Sequence, residues 1–299
     1  MRNPNQEIIT LIYDPERNVF FPGDSDCVLP HVMWHITDEC PLRCPYCFSP
    51  KTEQTVLTEA IDQILTVLEQ LGVQKIDIGG GEPLVYRHLP MIVEKIRAQG
   101  ICCTLTTSGV GRRENLELLP SIIPHLARFI VSLDAYGHAH NRLRGNVNAW
   151  HGVNEILQQL DAATRRLQVR INTVVTSSFE FESTFEQLAR WIDRSGVREW
   201  CLIQPHPANQ KETYTDYCLS GHQFDAVIQR ARDILKSEVE LIVRRSSLYS
   251  DYWVLHPSGF LQKHTNGAVD GVGVNIVNSV KDLAAIILSS GASAPLEEK

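Results

Sequence analysis

Three cysteines fall within eight residues, Cys40-Pro41-Leu42-Arg43-Cys44-Pro45-Tyr46-Cys47, and no other segment so narrows what the chain can become. Thiolates at that spacing reach three corners of an iron–sulfur cubane, because such clusters are held by cysteine sulfur. A full set is four, and no fourth cysteine lies nearby. One iron is then left open, as a cluster that binds a small molecule requires. Pro41 and Pro45 each fix φ and stiffen the loop, consistent with three side chains held inward. Two other readings use the same residues: a zinc site completed by His35 or His31, and three cysteines simply buried in a loop.

The surroundings of the loop alternate between strand and helix patterns. Val32–Thr37 is apolar, β-branched and aromatic, and reads as a strand running straight into the first cysteine. Leu57, Ile61, Ile64, Leu65, Leu68 and Leu71 repeat at helical spacing and stop at Gly72. Further strands are predicted at Lys75–Ile78, Ile101–Thr106, Phe129–Leu133, Leu167–Val175, Glu199–Ile203 and Val239–Val243. Helices are predicted between them at Leu89–Gln99, Asn115–Ile123, Ala149–Ala163, Phe181–Arg194 and Gln223–Lys236. Such alternation implies parallel βαβ units with right-handed crossovers. The fold class is α/β, a complete or partial (β/α) barrel, with chemistry expected at the C-terminal ends of its strands. No Pro-, Gly- or Ser-rich linker interrupts it. Residues 1–243 are expected to form one core with an N-terminal lead-in, and residues 244–299 a C-terminal extension closing the substrate side.

Composition removes several function classes. With 43% hydrophobic and 21% charged residues, the 299-residue chain has ample material for a globular core. A formal charge of −7 argues against a general nucleic-acid surface, while leaving room for a few buried Arg and Lys to set a local potential. Met1–Thr10 lacks the apolar core of a signal peptide, and the apolar run Leu283–Leu288 is too short to span a bilayer. A cytoplasmic location is expected, where disulfides are rare. The eight cysteines therefore read as ligands, small hydrophobes or thiols. Cys102 and Cys103, adjacent on a strand, point to opposite faces and are expected to pack as small hydrophobes.

Cys40, Cys44 and Cys47, followed one βα unit later by Gly80-Gly81-Glu82-Pro83, resemble the radical S-adenosylmethionine superfamily. The resemblance implies a partial (β/α)6-type radical SAM barrel, a [4Fe–4S] cluster on the three cysteines, and S-adenosylmethionine chelating the open iron. It places the cofactor against Gly80, Gly81, Glu82 and Pro83, where glycine permits close backbone approach. By the same resemblance Ser108, Ser132, Asp134 and Asn172, at successive strand ends, lie near the ribose or the methionine carboxylate. Arg144 is expected to pair with that carboxylate, for which a guanidinium fork is suited. A flavodoxin or ferredoxin would supply the electron. Beyond Cys47 only Cys102, Cys103, Cys201 and Cys218 remain, too few and scattered for a second cluster.

Within the superfamily the chain resembles the viperin-like nucleotide dehydratases from about Met33 to Val274. The shared features are His35-Ile36-Thr37, Phe48, the Lys75–Pro83 segment, Arg144-Gly145, Ile171-Asn172, Ser250-Asp251-Tyr252 and Val269–Gly273. That resemblance implies hydrogen abstraction from a nucleoside triphosphate, loss of water and an antiviral chain terminator. It makes Lys51, Lys75 and Arg170 phosphate contacts and Tyr252 a hydrogen donor. Two positions depart from the pattern. An Asn expected just before His35 is Met33 or Trp34, and a Lys expected near Trp200 is Cys201. Arg244 and Arg245 offer a substitute positive charge. The alternatives are a radical tailoring enzyme acting on a nucleoside, sugar or peptide, and a non-catalytic iron–sulfur or zinc protein.

Overall fold

The computed structural model describes residues 11–14, 19–22, 31–47, 49, 51–205, 216–236, 238–246, 252–265 and 268–276. A short antiparallel hairpin, β1 (Leu11–Asp14) and β2 (Val19–Pro22), comes first. Seven parallel strands follow: β3 (His31–Thr37), β4 (Lys75–Gly80), β5 (Cys102–Thr107), β6 (Arg128–Ser132), β7 (Val169–Val174), β8 (Glu199–Ile203) and β9 (Glu240–Arg244). Their spatial order is their order in the chain, as successive right-handed crossovers dictate. The connecting helices are α1 (Ile61–Gln70), α2 (Leu89–Ala98), α3 (Arg113–Ile122), α4 (His138–Arg144), α5 (Ala149–Gln159), α6 (Ala162–Gln168), α7 (Phe179–Ser195) and α8 (Gly221–Ile234). Among the described residues no helix is long and apolar enough to cross a membrane.

The last strands return to the other edge of the same sheet. β10 (Tyr252–Leu255) lies parallel to β3, and β11 (Phe260–Thr265) and β12 (Ala268–Asn275) add antiparallel strands outside it. The ten-stranded sheet runs from β12 to β9 without closing on itself. It is an open α/β barrel, as expected from the sequence. The Val269–Gly273 segment forms part of β12, whereas Phe48 and Ser250-Asp251 lie outside the described residues.

Alternation along each strand gives the sheet two unlike faces. Trp34, Ile76, Ile78, Leu105, Phe129, Val131, Ile171, Trp200 and Leu202 are buried and join Ile64, Leu68, Ile92, Val153, Phe185 and Leu188 of the helices in one core. The other, concave face takes the alternate residues, many of them polar: His31 and His35, Lys75 and Asp77, Thr104 and Thr106, Arg128 and Ser132, Arg170 and Asn172, Glu199 and Cys201.

The structure departs from the sequence expectations beyond the unpredicted β1–β2 hairpin. The single helix expected over Ala149–Ala163 is two, because Asp161 breaks it and caps α6 by accepting from the Thr164 amide at 2.9 Å. Leu167 and Gln168, expected to begin a strand, therefore end that helix. The short helix α4 was not predicted; Gly137 and Gly145, both at positive φ, bound it on either side. Finally, only Cys103 is buried, while Cys102, at the start of β5, is exposed.

Candidate functional site

The cysteine loop leaves the C-terminal end of β3 and is closed at its neck, where Thr37 bridges to Thr55 and the Asp38 amide donates to the Gln54 carbonyl at 2.7 Å. The segment after β6 grips its middle. The Arg43 amide donates to the Arg144 carbonyl at 2.8 Å, and Asn146 Nδ2 to the Pro41 carbonyl at 3.0 Å. Gly145, at φ 61°, lies so close that a Cβ there would stand 2.9 Å from Cβ of Arg43. Beneath the loop, Asp134 is fully buried. Its Oδ2 accepts from the Tyr46 hydroxyl at 2.5 Å and pairs with Arg144 Nε at 2.6 Å, while its Oδ1 accepts from the Val174 amide at 2.9 Å. Burial alone would lower the Arg144 pKa, but the Asp134 charge together with Tyr46 and Cys44 outweighs it and holds the guanidinium protonated. Burial and that same carboxylate push the Tyr46 phenol well above its ordinary value. Tyr46 and Asn146 carry roles that sequence reasoning missed; for Tyr46 the available signal was an aromatic wedged between two ligand cysteines.

The three thiols are near enough that a charge on Cys44 or Cys47 disfavours ionisation of Cys40. Burial is the larger cause, and together these push the Cys40 thiol up to about 11. Burial also raises Cys44, opposed by the nearby Arg144, whose Nη1 lies 3.9 Å from its sulfur. Among the described residues no three Cys, His, Asp or Glu side chains converge as ligands of a single ion. A cubane asks for something else, one thiolate at each iron corner. His31, offered as a fourth zinc ligand, sits at the far end of β3 bonded to Asp77, six residues or roughly 20 Å of strand from Thr37.

The Gly-Gly-Glu-Pro turn at the end of β4 packs against the neck of the loop. A Cβ on Gly80 would stand 2.3 Å from the Thr37 carbonyl oxygen, and one on Gly81 would stand 2.2 Å from that of Glu39. Both contacts are with backbone, which cannot step aside. The Gly81 amide donates to the Thr37 carbonyl at 2.7 Å and the Glu82 amide to that of Glu39 at 2.8 Å, so the turn and the loop are stitched together. Glu82 is buried and ties the ends of β4 and β5. It accepts from Leu84 N, Thr107 Oγ1, Ser108 N and Ser108 Oγ at 2.5–3.0 Å. Burial raises its pKa despite those bonds. Pro83 starts a single 3₁₀ turn. Gly81→Ala is expected to destabilise by about 1–3 kcal/mol through overpacking and to lower cluster loading, read by thermal unfolding and by iron content after reconstitution.

The remaining predicted residues divide into two levels. Asn172 and Ser132 are Cα partners near the C-terminal ends of β7 and β6, and Asn172 Oδ1 is buried without a hydrogen-bond partner. Gly79, on the same concave face, has nothing within 4 Å of where a Cβ would be. A buried unsatisfied acceptor on a face that also leaves open space, three strands away at Gly79, fits a hydroxyl-bearing ligand. Ser108 and Asp134, by contrast, spend their hydrogen bonds on Glu82 and on the loop, so their contribution is to hold the site together. Lys51 is exposed, with Nζ 3.3 Å from the Leu42 carbonyl. Arg244 ends β9, half-buried on the concave face.

Lys75 and Arg170 lie lower, toward the N-terminal ends of their strands, and are ion-paired to Asp77 and Glu199. Tyr252 begins β10, whose Trp253 is the partner of Val32. It is therefore level with His31 at the end of the sheet away from the cysteines, a place that does not favour its expected role as hydrogen donor. A surface cleft of about 340 Å³, lined by Glu39, Leu57, Tyr86, Arg87, His88 and Arg112 among others, lies on the outside of the loop.

Asp77 also sets a pH dependence. Burial raises its pKa, but the His31 hydrogen bond and charge, the Lys75 charge and the Thr104 hydroxyl outweigh this and hold the carboxyl well below its ordinary value. A depressed folded-state pKa contributes stability above the unfolded value of about 3.9, lost as the pH falls through the folded value. Asp77→Asn is expected to remove on the order of 1–3 kcal/mol of that acid-labile stability, seen as a flatter dependence of urea midpoints on pH below about 4.

Comparison with known proteins matches residues 34–192, more than half of the chain, to the family model of the radical SAM superfamily. The chain belongs to the radical SAM superfamily. Its cofactors are thus a [4Fe–4S] cluster and S-adenosylmethionine, and the three clustered cysteines, the glycine turn and the unsatisfied Asn172 fit both. Among curated radical SAM relatives, the GTP 3′,8-cyclase of Aquifex aeolicus is 30% identical over 172 residues, 54% of this chain and 52% of the relative. The chain thus spans about half the length of that cyclase. The S-adenosylmethionine-dependent nucleotide dehydratase of Flammeovirga pacifica is 24% identical over 255 residues, 80% of this chain and 84% of the relative. Among solved structures, SuiB of Streptococcus suis bound to S-adenosylmethionine superposes with a TM-score of 0.66 at 14% identity, covering 91% of this chain and 67% of that one. That likeness is one of fold.

Proposed function

We propose that this radical SAM enzyme abstracts a hydrogen atom from a small, hydroxyl-bearing substrate of the nucleotide class held on the concave face of the sheet, with net loss of water. The observation that carries the reading is the meeting of three features at one end of an open barrel. These are the cysteine loop, the Gly80-Gly81 turn stitched to its neck, and a polar strand-end layer with one unsatisfied acceptor. The nucleotide class is supported by the dehydratase relative, which this chain matches over most of both lengths.

Once bound, the cluster and S-adenosylmethionine supply a one-electron cleavage of the S–C5′ bond and hence the 5′-deoxyadenosyl radical. The chain's own work is positioning and exclusion. Cys40, Cys44 and Cys47 would hold three irons, and Arg144, Asn146 and Asp134 keep their loop in place. Gly79 leaves room at the concave face, and Asn172 Oδ1 is set to accept from a ribose hydroxyl. An external flavodoxin or ferredoxin is the proposed electron source.

The test is anaerobic reconstitution followed by incubation with S-adenosylmethionine and dithionite, with and without nucleosides and nucleotides. 5′-Deoxyadenosine formation accelerated by a member of that class is expected. Acceleration by none would shift the reading to a radical tailoring enzyme acting on a sugar or peptide.

A further inference from the structure

The floor of the concave face carries its own counterions. It lies two residues, roughly 7 Å of strand, below Gly79 on β4 and below Asn172 on β7. There Asp77 Oδ2 is 2.6 Å from His31 Nε2, its Oδ1 is 3.2 Å from Lys75 Nζ, and it also accepts from the Thr104 hydroxyl. Across the sheet Glu199 is bonded by Arg170 Nε and by Arg128 Nη2, each at 2.7 Å. The register runs Asp77–Thr104–Arg128 across β4, β5 and β6, and Arg170–Glu199–Glu240 across β7, β8 and β9. Arg170 is 4% exposed, Glu199 17% and Asp77 18%, so these three groups are largely withdrawn from water, while Lys75 and Arg128 reach it.

A site that reads a polyphosphate keeps cations whose counter-charge the ligand supplies. Here the carboxylates already supply it. Lys75, Arg128 and Arg170 on the floor stand against Asp77, Glu199 and Glu240. A triphosphate lying along the floor would have to take Arg170 from Glu199, leaving a buried carboxylate beside a polyanion, and a broken buried pair is strongly unfavourable. Above the floor the same face offers the neutral hydrogen-bonding groups of Thr106, Ser132 and Asn172, and a single arginine, Arg244, at the end of β9 that suits one phosphate group. From this we infer that the floor selects a substrate with at most one negative charge, a nucleoside or its monophosphate and not a triphosphate, with Asp77 and Glu199 as the specificity-determining residues. The inference rests on the nucleotide-class reading above.

Inorganic tripolyphosphate tests the floor without turnover. Titrated calorimetrically into the reconstituted enzyme, it is expected to bind Glu199→Gln about tenfold or more tighter than the unchanged protein. If Glu199→Gln fails to fold, Asp77→Asn carries the same expectation. Equal binding to wild type and variant overturns the inference, as does stronger acceleration of 5′-deoxyadenosine formation by nucleoside triphosphates than by nucleosides or monophosphates. Tighter binding by the variant, with no nucleotide of any class accelerating turnover, leaves the charge selection standing and removes the nucleotide reading instead.

Discussion

Cys40→Ala is expected to abolish cluster binding and, with it, all formation of 5′-deoxyadenosine. On the proposed three-thiolate assignment each cysteine of the loop would serve one iron corner, so the variant would keep only two protein ligands, and no described cysteine elsewhere takes the vacant place. Cys102 opens β5 and Cys103 is buried beneath it, both a strand away from the loop, while Cys201 lies on β8 and Cys218 just before α8. The fold itself should survive, because Cys40 is only half-buried and makes no side-chain hydrogen bond to another element among the described residues. Iron and sulfide content after anaerobic reconstitution, the visible charge-transfer absorbance, and product analysis with dithionite read the effect. Cys102→Ala, exposed at the start of a strand, should keep full iron and full cleavage in the same experiment. A Cys40→Ala protein that retained the cluster and cleaved S-adenosylmethionine would remove the three-thiolate assignment on which the mechanism stands.

How much of this was legible beforehand follows from the range of each interaction. The seven parallel strands were readable because β-branched and apolar runs alternate with helical periodicity, and both signals are local. The cysteine loop and the glycine turn were readable as a pair because both obey fixed spacing. What the sequence hid depends on partners far away in the chain. Asp134 was expected at the cofactor, but Tyr46, 88 residues earlier, and Arg144 claim its Oδ2. Ser108 was assigned likewise, and Glu82, 26 residues earlier, takes both its amide and its hydroxyl. Arg170 read as a phosphate contact, and strand register puts Glu199, 29 residues later, beside it, whereas Asp77 beside Lys75 follows from alternation along β4. A cation's identity shows in the sequence; whether its charge is already answered does not. The position of Tyr252 was hidden for a related reason, since nothing local says that the strand it begins pairs with β3 in a register that sets it level with His31.

Asp134→Ala is expected to have the largest effect on stability of any substitution in the site. The carboxylate is fully buried and holds three groups from three parts of the chain: Tyr46 in the cysteine loop, Arg144 at the end of α4, and the Val174 amide at the end of β7. Removing it leaves the Arg144 guanidinium buried without its anion, and breaking a buried pair on one side costs about 3–5 kcal/mol. Against a total stability of roughly 5–15 kcal/mol for a domain, that is a large fraction. The loss should also reach the cluster, because the Arg144 carbonyl anchors the Arg43 amide at 2.8 Å and Gly145 packs on Arg43. Iron content per chain should therefore fall together with the denaturation midpoint. Tyr46→Phe separates the two roles. It removes one hydrogen bond to a charged acceptor, worth about 1.5–3 kcal/mol, while leaving the Arg144–Asp134 pair in place, so its loss of stability should be clearly smaller. If Asp134 instead acted by contacting S-adenosylmethionine, Asp134→Ala would weaken cofactor binding while leaving the midpoint of the cluster-free protein unchanged. Urea unfolding of that protein beside equilibrium dialysis of the cofactor tells the two apart: a shifted midpoint supports the bolt beneath the loop, and an unshifted one replaces it.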